Sequence, residues 1–145
     1  MNVSYKHTQI GYVIIVALGA GAVGLASVAL VVGPRALLVT ATVLALCVLL
    51  FPTLTTIVQK DRLRCFFGFG LIRREIPFAD IVSVSVVRNS WRHGWGLRLI
   101  RGGWLWNVSG FDAVELRLNT GKRFRIGTDE PKALHHAIST ALGTR

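Results

Sequence analysis

The chain has 145 residues, of which 52% are hydrophobic, and it carries a formal net charge of +10 at neutral pH. The apolar residues are concentrated in the first sixty positions, whereas 15 of the 17 basic residues and all seven acidic residues lie between Lys60 and Arg145. This division excludes a single soluble globular domain. It leaves a tail of net charge +8 that is long enough for one small domain.

Two apolar stretches predict a transmembrane hairpin. Residues 10–32 and 36–58 contain no charged side chain. Each would form a helix of about 35 Å, which is enough to cross a hydrocarbon core of about 30 Å. The connection 33–35 is so short that the two helices must run antiparallel. A cleaved signal peptide is the alternative, but the first stretch is longer than a usual signal-peptide core and a second stretch follows at once.

The flanking charges predict the orientation of this hairpin. Basic residues flank both outer ends, whereas the connecting turn contains only Arg35. By the positive-inside rule, the N-terminal segment 1–9 and the tail 59–145 are therefore expected in the cytoplasm. The sequence thus predicts a multi-pass protein of the plasma (inner) membrane.

Small residues recur at intervals of three or four along the first span, namely Ala17, Gly21, Gly24 and Ser27. Such a face lets two helices approach closely. The partner of this face is either the second span or another copy of the chain. Neither span contains an ionisable side chain of the kind that transport pathways place at membrane depth, so the hairpin is interpreted as an anchor.

The tail changes to the period-two pattern of β-strands. Seven strands are expected, at 62–67, 71–78, 81–87, 97–101, 104–108, 114–118 and 123–126. Apolar residues at helical spacing then follow Pro131, and they predict an amphipathic C-terminal helix. The expected fold class is therefore a helical transmembrane hairpin followed by a small α+β domain. This domain is either a strongly bent sheet or barrel closed by the helix, or a two-layer sheet.

Three segments of the tail resemble the bacterial pleckstrin-homology-like (PH-like) domains. They are Gly-Trp-Gly-Leu-Arg at 94–98, Phe-Asp-Ala-Val-Glu-Leu at 111–116, and Gly-Lys-Arg-Phe-Arg-Ile-Gly-Thr-Asp-Glu-Pro at 121–131. The resemblance covers residues 59–143, and such domains commonly lie beside transmembrane helices. It implies an antiparallel barrel of about seven strands with a closing C-terminal helix, and it brings no catalytic residue.

The segment 88–106 is unusually rich in tryptophan and arginine. Indole rings suit the lipid headgroup layer, and guanidinium groups bind phosphate. The lipid-contact candidates are Arg88, Trp91, Arg92, Trp95, Arg98 and Arg101. The alternative is that two or three tryptophans fill the core and that the arginines occupy ordinary solvated positions.

Other chemistry is disfavoured by the residues themselves. Cys47 and Cys65 provide neither a disulfide framework nor a zinc site, and adjacent His135 and His136 cannot face one metal ion together. We therefore expect no catalytic residue, no metal, no cofactor and no nucleic acid partner. The sequence predicts a membrane-anchored PH-like binding module that contacts anionic lipid headgroups, a protein partner, or both. The alternative is an assembly subunit of a membrane complex or a homo-oligomer, in which lipid contact is incidental.

Overall fold

The helical hairpin is inserted between two neighbouring β-strands. The computed structural model describes residues 3–143. Strand β1 (Val3–Ile10) leads into helix α1 (Tyr12–Val32), and helix α2 (Arg35–Leu50) leads into strand β2 (Thr53–Gln59). The two strands pair antiparallel, with Ile10 opposite Thr53. The predicted N-terminal segment 1–9 is therefore part of the folded domain, apart from residues 1 and 2, which lie outside the described range.

The second apolar stretch is shorter as a helix than the sequence predicted. Helix α2 ends at Leu50, and residues 53–58 of the expected span 36–58 belong to β2 instead. Pro52 ends the helix because it lacks a backbone N–H, and the threonines that follow it favour a strand. Helix α1, with 21 residues, is long and apolar enough to cross a membrane, whereas α2 has 16 residues, about 24 Å, and falls short of that length.

All seven strands that the period-two pattern predicted in the tail are present. They are β3 (Arg62–Phe67), β4 (Arg73–Pro77), β5 (Ile81–Arg88), β6 (Gly96–Ile100), β7 (Gly103–Asn107), β8 (Asp112–Leu118) and β9 (Arg123–Gly127). Short 3-10 turns lie at Phe78–Asp80 and Trp91–His93, and helix α3 (Pro131–Gly143) follows the last strand. The α+β class of the tail is therefore confirmed.

The strands form two sheets across residues 3–143. The first has the order β1-β2-β3-β4 and the second has the order β5-β8-β9-β7-β6. Strands β7 and β9 are parallel neighbours, whereas every other pair is antiparallel. Within the described range, strand pairing does not join the sheets into a closed barrel. The architecture is therefore mixed α+β with two sheets, and it differs from the fully antiparallel barrel that the resemblance implied.

The core lies between the two sheets and is completed by α3. Leu134 and Ile138 of the helix are fully buried, and α3 contacts strands of both sheets. Trp106 lies at the centre of an aromatic cluster, with its ring centroid 5.1 Å from that of Phe67 and 5.4 Å from that of Phe124. This cluster joins the first sheet to the second.

Polar contacts attach β1 to the start of α3. His7 Nε2 lies 2.6 Å from Asp129 Oδ1, and the Tyr5 hydroxyl donates a hydrogen bond of 3.3 Å to Glu130. Burial, followed by the nearby charge of Glu130, raises the pKa of Tyr5 well above its usual range. The N-terminal strand is thus held at both edges, by β2 and by the residues that precede α3.

Candidate membrane-facing surface

Three connections of the domain gather around the base of the helical hairpin. At this base, the backbone N–H of Gly11, which precedes α1, donates to Pro52 O, which follows α2, at 2.8 Å. The β3–β4 turn abuts this base, because Gly68 adopts a φ of +46° and a Cβ at this residue would come within 2.9 Å of the carbonyl oxygen of Leu50. The β7–β8 loop abuts it as well, since Gln9 Nε2 donates to Ser109 O at 3.0 Å.

The third connection is the segment 89–98 between β5 and β6, which lies against α1 and α2. We call the end of the domain formed by residues 68–72, 89–98 and 108–111 the proximal end. The opposite end contains the β2–β3 and β8–β9 turns. Loops at the proximal end are therefore the parts of the domain closest to the apolar helices.

The structure brings five of the six predicted lipid-contact residues to or next to the proximal end. Arg88 ends β5 beside the β7–β8 loop, and Trp91, Arg92 and Trp95 follow it. Arg98 is the third residue of β6. Arg101 does not belong to this group. It lies on the β6–β7 turn, where Gly102 O accepts a hydrogen bond from Arg123 N at the far end of the sheet. Strand β6 carries Arg101 away from the hairpin, and its role as a lipid contact stays a prediction.

The four tryptophans divide between surface and interior. Trp91 is 74% exposed, and the guanidinium carbon of Arg92 lies 5.9 Å from its ring centroid. Trp104 is also exposed, on β7, where it is opposite Leu99 of the edge strand β6. Trp106 is buried in the core, and Trp95 is partly buried against it. Of the predicted tryptophans, Trp91 is thus the one that presents a whole indole ring at the proximal end.

A buried ion pair holds the segment 89–98 in place. Arg125 Nε donates to Glu115 at 2.6 Å, and its Nη1 donates to Asn89 Oδ1 at 3.2 Å. Asn89 is buried, and its backbone N–H donates to Phe111 O at 2.7 Å. The Arg125 side chain of β9 thus bonds both Glu115 on β8 and Asn89 in the segment 89–98. These bonds attach the segment that carries Trp91 to the second sheet.

Three exposed apolar residues of the proximal end were missed by sequence reasoning. Phe69 is 85% exposed and Leu71 is 78% exposed on the β3–β4 turn, and Phe111 is exposed on the β7–β8 loop. A signal was present in the sequence, because turns are normally polar and Phe69 stands between Gly68 and Gly70. Large apolar side chains at loop tips next to an apolar hairpin extend the surface that Trp91 begins.

The predicted helix-packing face is only partly used within the hairpin. A Cβ at Gly21 would touch Leu44 of α2 at 3.4 Å, whereas a Cβ at Gly24 would meet nothing within 4 Å. Ala17 and Ser27 are exposed as well. Ala29 near the tip of α1 is buried, whereas Ile14 at its base belongs to the core of the domain. The second helix therefore leaves Ala17, Gly24 and Ser27 largely uncovered.

A larger groove of about 1490 Å³ lies at the other end of the domain, between β1, β3 and α3. Its arginines are largely neutralised within the chain. Arg62 bonds Asp61 and Glu75, which raise the pKa of its guanidinium, and Arg64 Nε lies 3.4 Å from Glu75 Oε1. Among residues 3–143 no group of three or more metal-ligating side chains comes together. The arginines of this groove are therefore less available to an anionic ligand than the arginines of the proximal end.

The fold and the proximal end define an α+β domain that carries an inserted apolar hairpin. A scan against protein-family models finds no match to this chain, and searches of curated proteins and of solved structures find none either. The functional proposal consequently rests on the contacts, exposure and charge of the chain itself.

Proposed function

We propose that this protein is a membrane-anchored, non-catalytic binding module whose proximal end contacts anionic lipid headgroups. The observation that carries the proposal is the placement of Trp91 and Arg92 at the base of an apolar hairpin. Thirteen large apolar side chains between Tyr12 and Leu49 are exposed, and burying one such side chain away from water is worth about 1.5–3 kcal/mol. The bilayer is the environment that removes this surface from water.

The net charge of the domain also favours an orientation in which the proximal end faces the membrane surface. The domain from Lys60 onward carries a net charge of +8, and a basic residue near an anionic membrane surface contributes about 1 kcal/mol, screened by salt. With the hairpin in the inner membrane and both termini in the cytoplasm, the proximal end meets the anionic leaflet. In this proposal the opposite end of the domain remains free for a protein partner.

We keep the relationship to PH-like domains as part of this proposal. Seven tail strands followed by a helix support it. The parallel pairing of β7 with β9 is a departure from the expected barrel. The proposed function does not depend on this relationship, because its residues are taken from the proximal end.

The proposal is tested on the full chain in lipid nanodiscs that contain phosphatidylcholine and increasing fractions of phosphatidylglycerol with brominated acyl chains. Quenching of Trp91, isolated by subtracting the Trp91→Phe variant, should increase with the anionic fraction and decrease with salt. Arg92→Gln should raise the anionic fraction needed for half-maximal quenching about fivefold, the equivalent of about 1 kcal/mol. Arg117→Gln, an exposed change on β8 away from the proximal end, is the matched control. Quenching that ignores both lipid charge and salt would contradict the proposal.

A second candidate function is assembly, with lipid contact incidental. It is favoured by the open surface beside Gly24, which a small residue on α1 leaves available to another helix. Gly24→Leu should then reduce cross-linked oligomers of the full chain, whereas Arg92→Gln should not. An unchanged cross-linking pattern in Gly24→Leu would remove this role from the residue.

A further inference from the structure

A second feature of the proximal end is a groove between the hairpin and the start of β6. Its volume is about 580 Å³, within the range of pockets that hold small ligands. One wall is formed by Ala17 and Leu18 of α1 together with Phe51, and the other by Trp95, Leu97 and Arg98. The groove therefore joins the apolar surface of α1 to the first basic side chain of β6.

Polar groups are few, and they lie on one wall. Arg98 Nε donates to Trp95 O at 3.1 Å, and the rest of this exposed guanidinium remains available as a donor. Trp95 Nε1 is buried and has no hydrogen-bond partner among residues 3–143. Because this indole nitrogen is inaccessible, the exposed Arg98 guanidinium is the side-chain donor on this wall that a ligand can reach. An apolar trough with donors on one side matches an amphiphile.

The apolar helix on one side of the groove and the nearby arginines indicate which class of amphiphile fits. Ala17 and Leu18 belong to the helix that is long and apolar enough to cross a membrane, so a hydrocarbon chain lying along α1 can reach the groove without entering water. Arg88 and Arg92 lie in the same part of the chain, against one exposed acid, Asp112, which is opposite Arg88 in the sheet. The excess of guanidinium groups complements a phosphate.

We infer that this groove binds one anionic glycerophospholipid. One acyl chain lies against Ala17, Leu18 and Leu97, and the phosphate contacts Arg98. The inference deepens the proposed function and rests on it for the membrane setting. It differs in claiming a site for an individual lipid, whereas the general proposal requires only a surface of bound headgroups.

The test uses the full chain purified in detergent, with native mass spectrometry to count retained lipids after addition of phosphatidylglycerol or phosphatidylcholine. The wild-type chain should retain one phosphatidylglycerol in preference to phosphatidylcholine. Ala17→Phe, which fills the groove, should reduce this retention at least tenfold. Arg98→Gln should weaken it about tenfold, the effect of losing one hydrogen bond to a charged group.

Matched controls separate the groove from the general lipid coat of the hairpin. Ala45→Phe makes the same substitution on an exposed position of α2 outside the groove, and Arg101→Gln removes a charge from the distant β6–β7 turn. Both should retain lipid as the wild-type chain does. Near-ultraviolet circular dichroism checks that each variant keeps its tertiary packing.

The result that would overturn the inference is equal retention in Ala17→Phe and Ala45→Phe, at either a high or a low level. A wild-type chain that retains phosphatidylcholine as well as phosphatidylglycerol would also overturn it. Either outcome leaves the nanodisc experiment unaffected, since salt-dependent quenching of Trp91 reports the outer surface. Failure of the lipid site and failure of the proposed function are therefore distinguishable.

Discussion

The insertion of the hairpin into a β-hairpin predicts which fragment of this protein can fold. A fragment from Lys60 to Arg145 corresponds to the tail that sequence reasoning treated as the domain, but it lacks β1 and β2. Those strands supply Leu54 and Val58, which are 1% and 0% exposed. At about 1.5–3 kcal/mol for each buried side chain, their loss removes about 3–6 kcal/mol before any loss of strand pairing is counted.

That loss is comparable with the whole stability of a small domain, about 5–15 kcal/mol. The loss of the β2–β3 ladder leaves the inner face of β3 uncovered, including Leu63 and Phe67, which are both buried in the intact protein. We therefore expect the 60–145 fragment to be unfolded or aggregated. Its circular dichroism should lack a cooperative thermal transition.

The matched construction keeps β1 and replaces residues 11–52 with Asn-Gly, a two-residue turn that joins Ile10 to Thr53 in their existing register. This chain should fold cooperatively and remain soluble without detergent. It loses the contacts of Ile14 and Phe51 with the core, so its stability should remain modest. A 60–145 fragment that folds as well as the turn-closed chain would refute the reasoning, because β1 and β2 would then be dispensable.

Three further outcomes follow from individual contacts. Arg125→Ala should lower the free energy of unfolding by about 3–5 kcal/mol in denaturant titrations, because it leaves the buried Glu115 carboxylate unpaired. Complete burial raises the pKa of Cys65 to about 12, so the folded state keeps a proton that the unfolded state loses above about pH 9, and stability should fall as pH rises from 9 towards 12. Cys65→Ala should remove up to about 1.4 kcal/mol per pH unit of that slope. Finally, Phe69→Ser combined with Leu71→Ser should reduce proximal-end contact with the bilayer, measured as greater hydrogen exchange of residues 68–72 in nanodiscs, with little change in unfolding temperature.

A specific result would contradict each of these three predictions. A loss below 1 kcal/mol in Arg125→Ala would mean that Glu115 is not desolvated in the folded protein. A pH slope that persists in Cys65→Ala would assign it to other groups, with Tyr5 the first to examine because its pKa is also raised by burial. Unchanged exchange in the double serine variant would place the β3–β4 turn away from the membrane.

Sequence reasoning found the strands of the tail but not the first strand of the chain. The side chains of β1 that face inward are partly buried Tyr5 and His7 and buried Gln9, so there is no alternation of apolar and polar residues to detect. Their partners Glu130, Asp129 and Ser109 lie 100 or more residues away in the sequence. Only the tertiary structure brings these polar groups together, and the period-two pattern describes neighbouring residues alone.

The sequence contains a signal for the end of the second helix that the predicted span 36–58 did not use, whereas it contains no comparable signal for the pairing of the strands. Pro52 and the threonines after it marked the point at which the helix should stop, although the apolar run continues to Val58. By contrast, the neighbours β5 with β8 and β7 with β9 are separated by intervening strands. A local pattern predicts which residues of a strand point inward, but it does not predict which strands are neighbours. The order of the second sheet and the position of Arg101 outside the proximal end therefore came from the structure.

Under the proposed function, the two connections between the hairpin and the domain hold the proximal end against the bilayer. Both helices continue directly into paired strands, and Gly11 N donates to Pro52 O across the junction. A domain held in this way loses little further freedom when it touches the bilayer, so contacts of about 1 kcal/mol each can suffice. Inserting four Gly-Ser residues after Gly11 and four before Pro52 should therefore weaken the quenching of Trp91 by brominated lipid and make it more sensitive to salt. The same insertion after Gly33, at the tip of the hairpin, should have no such effect. Equal quenching in both insertion variants would show that the junction does not orient the domain and that the surface binds lipid on its own strength.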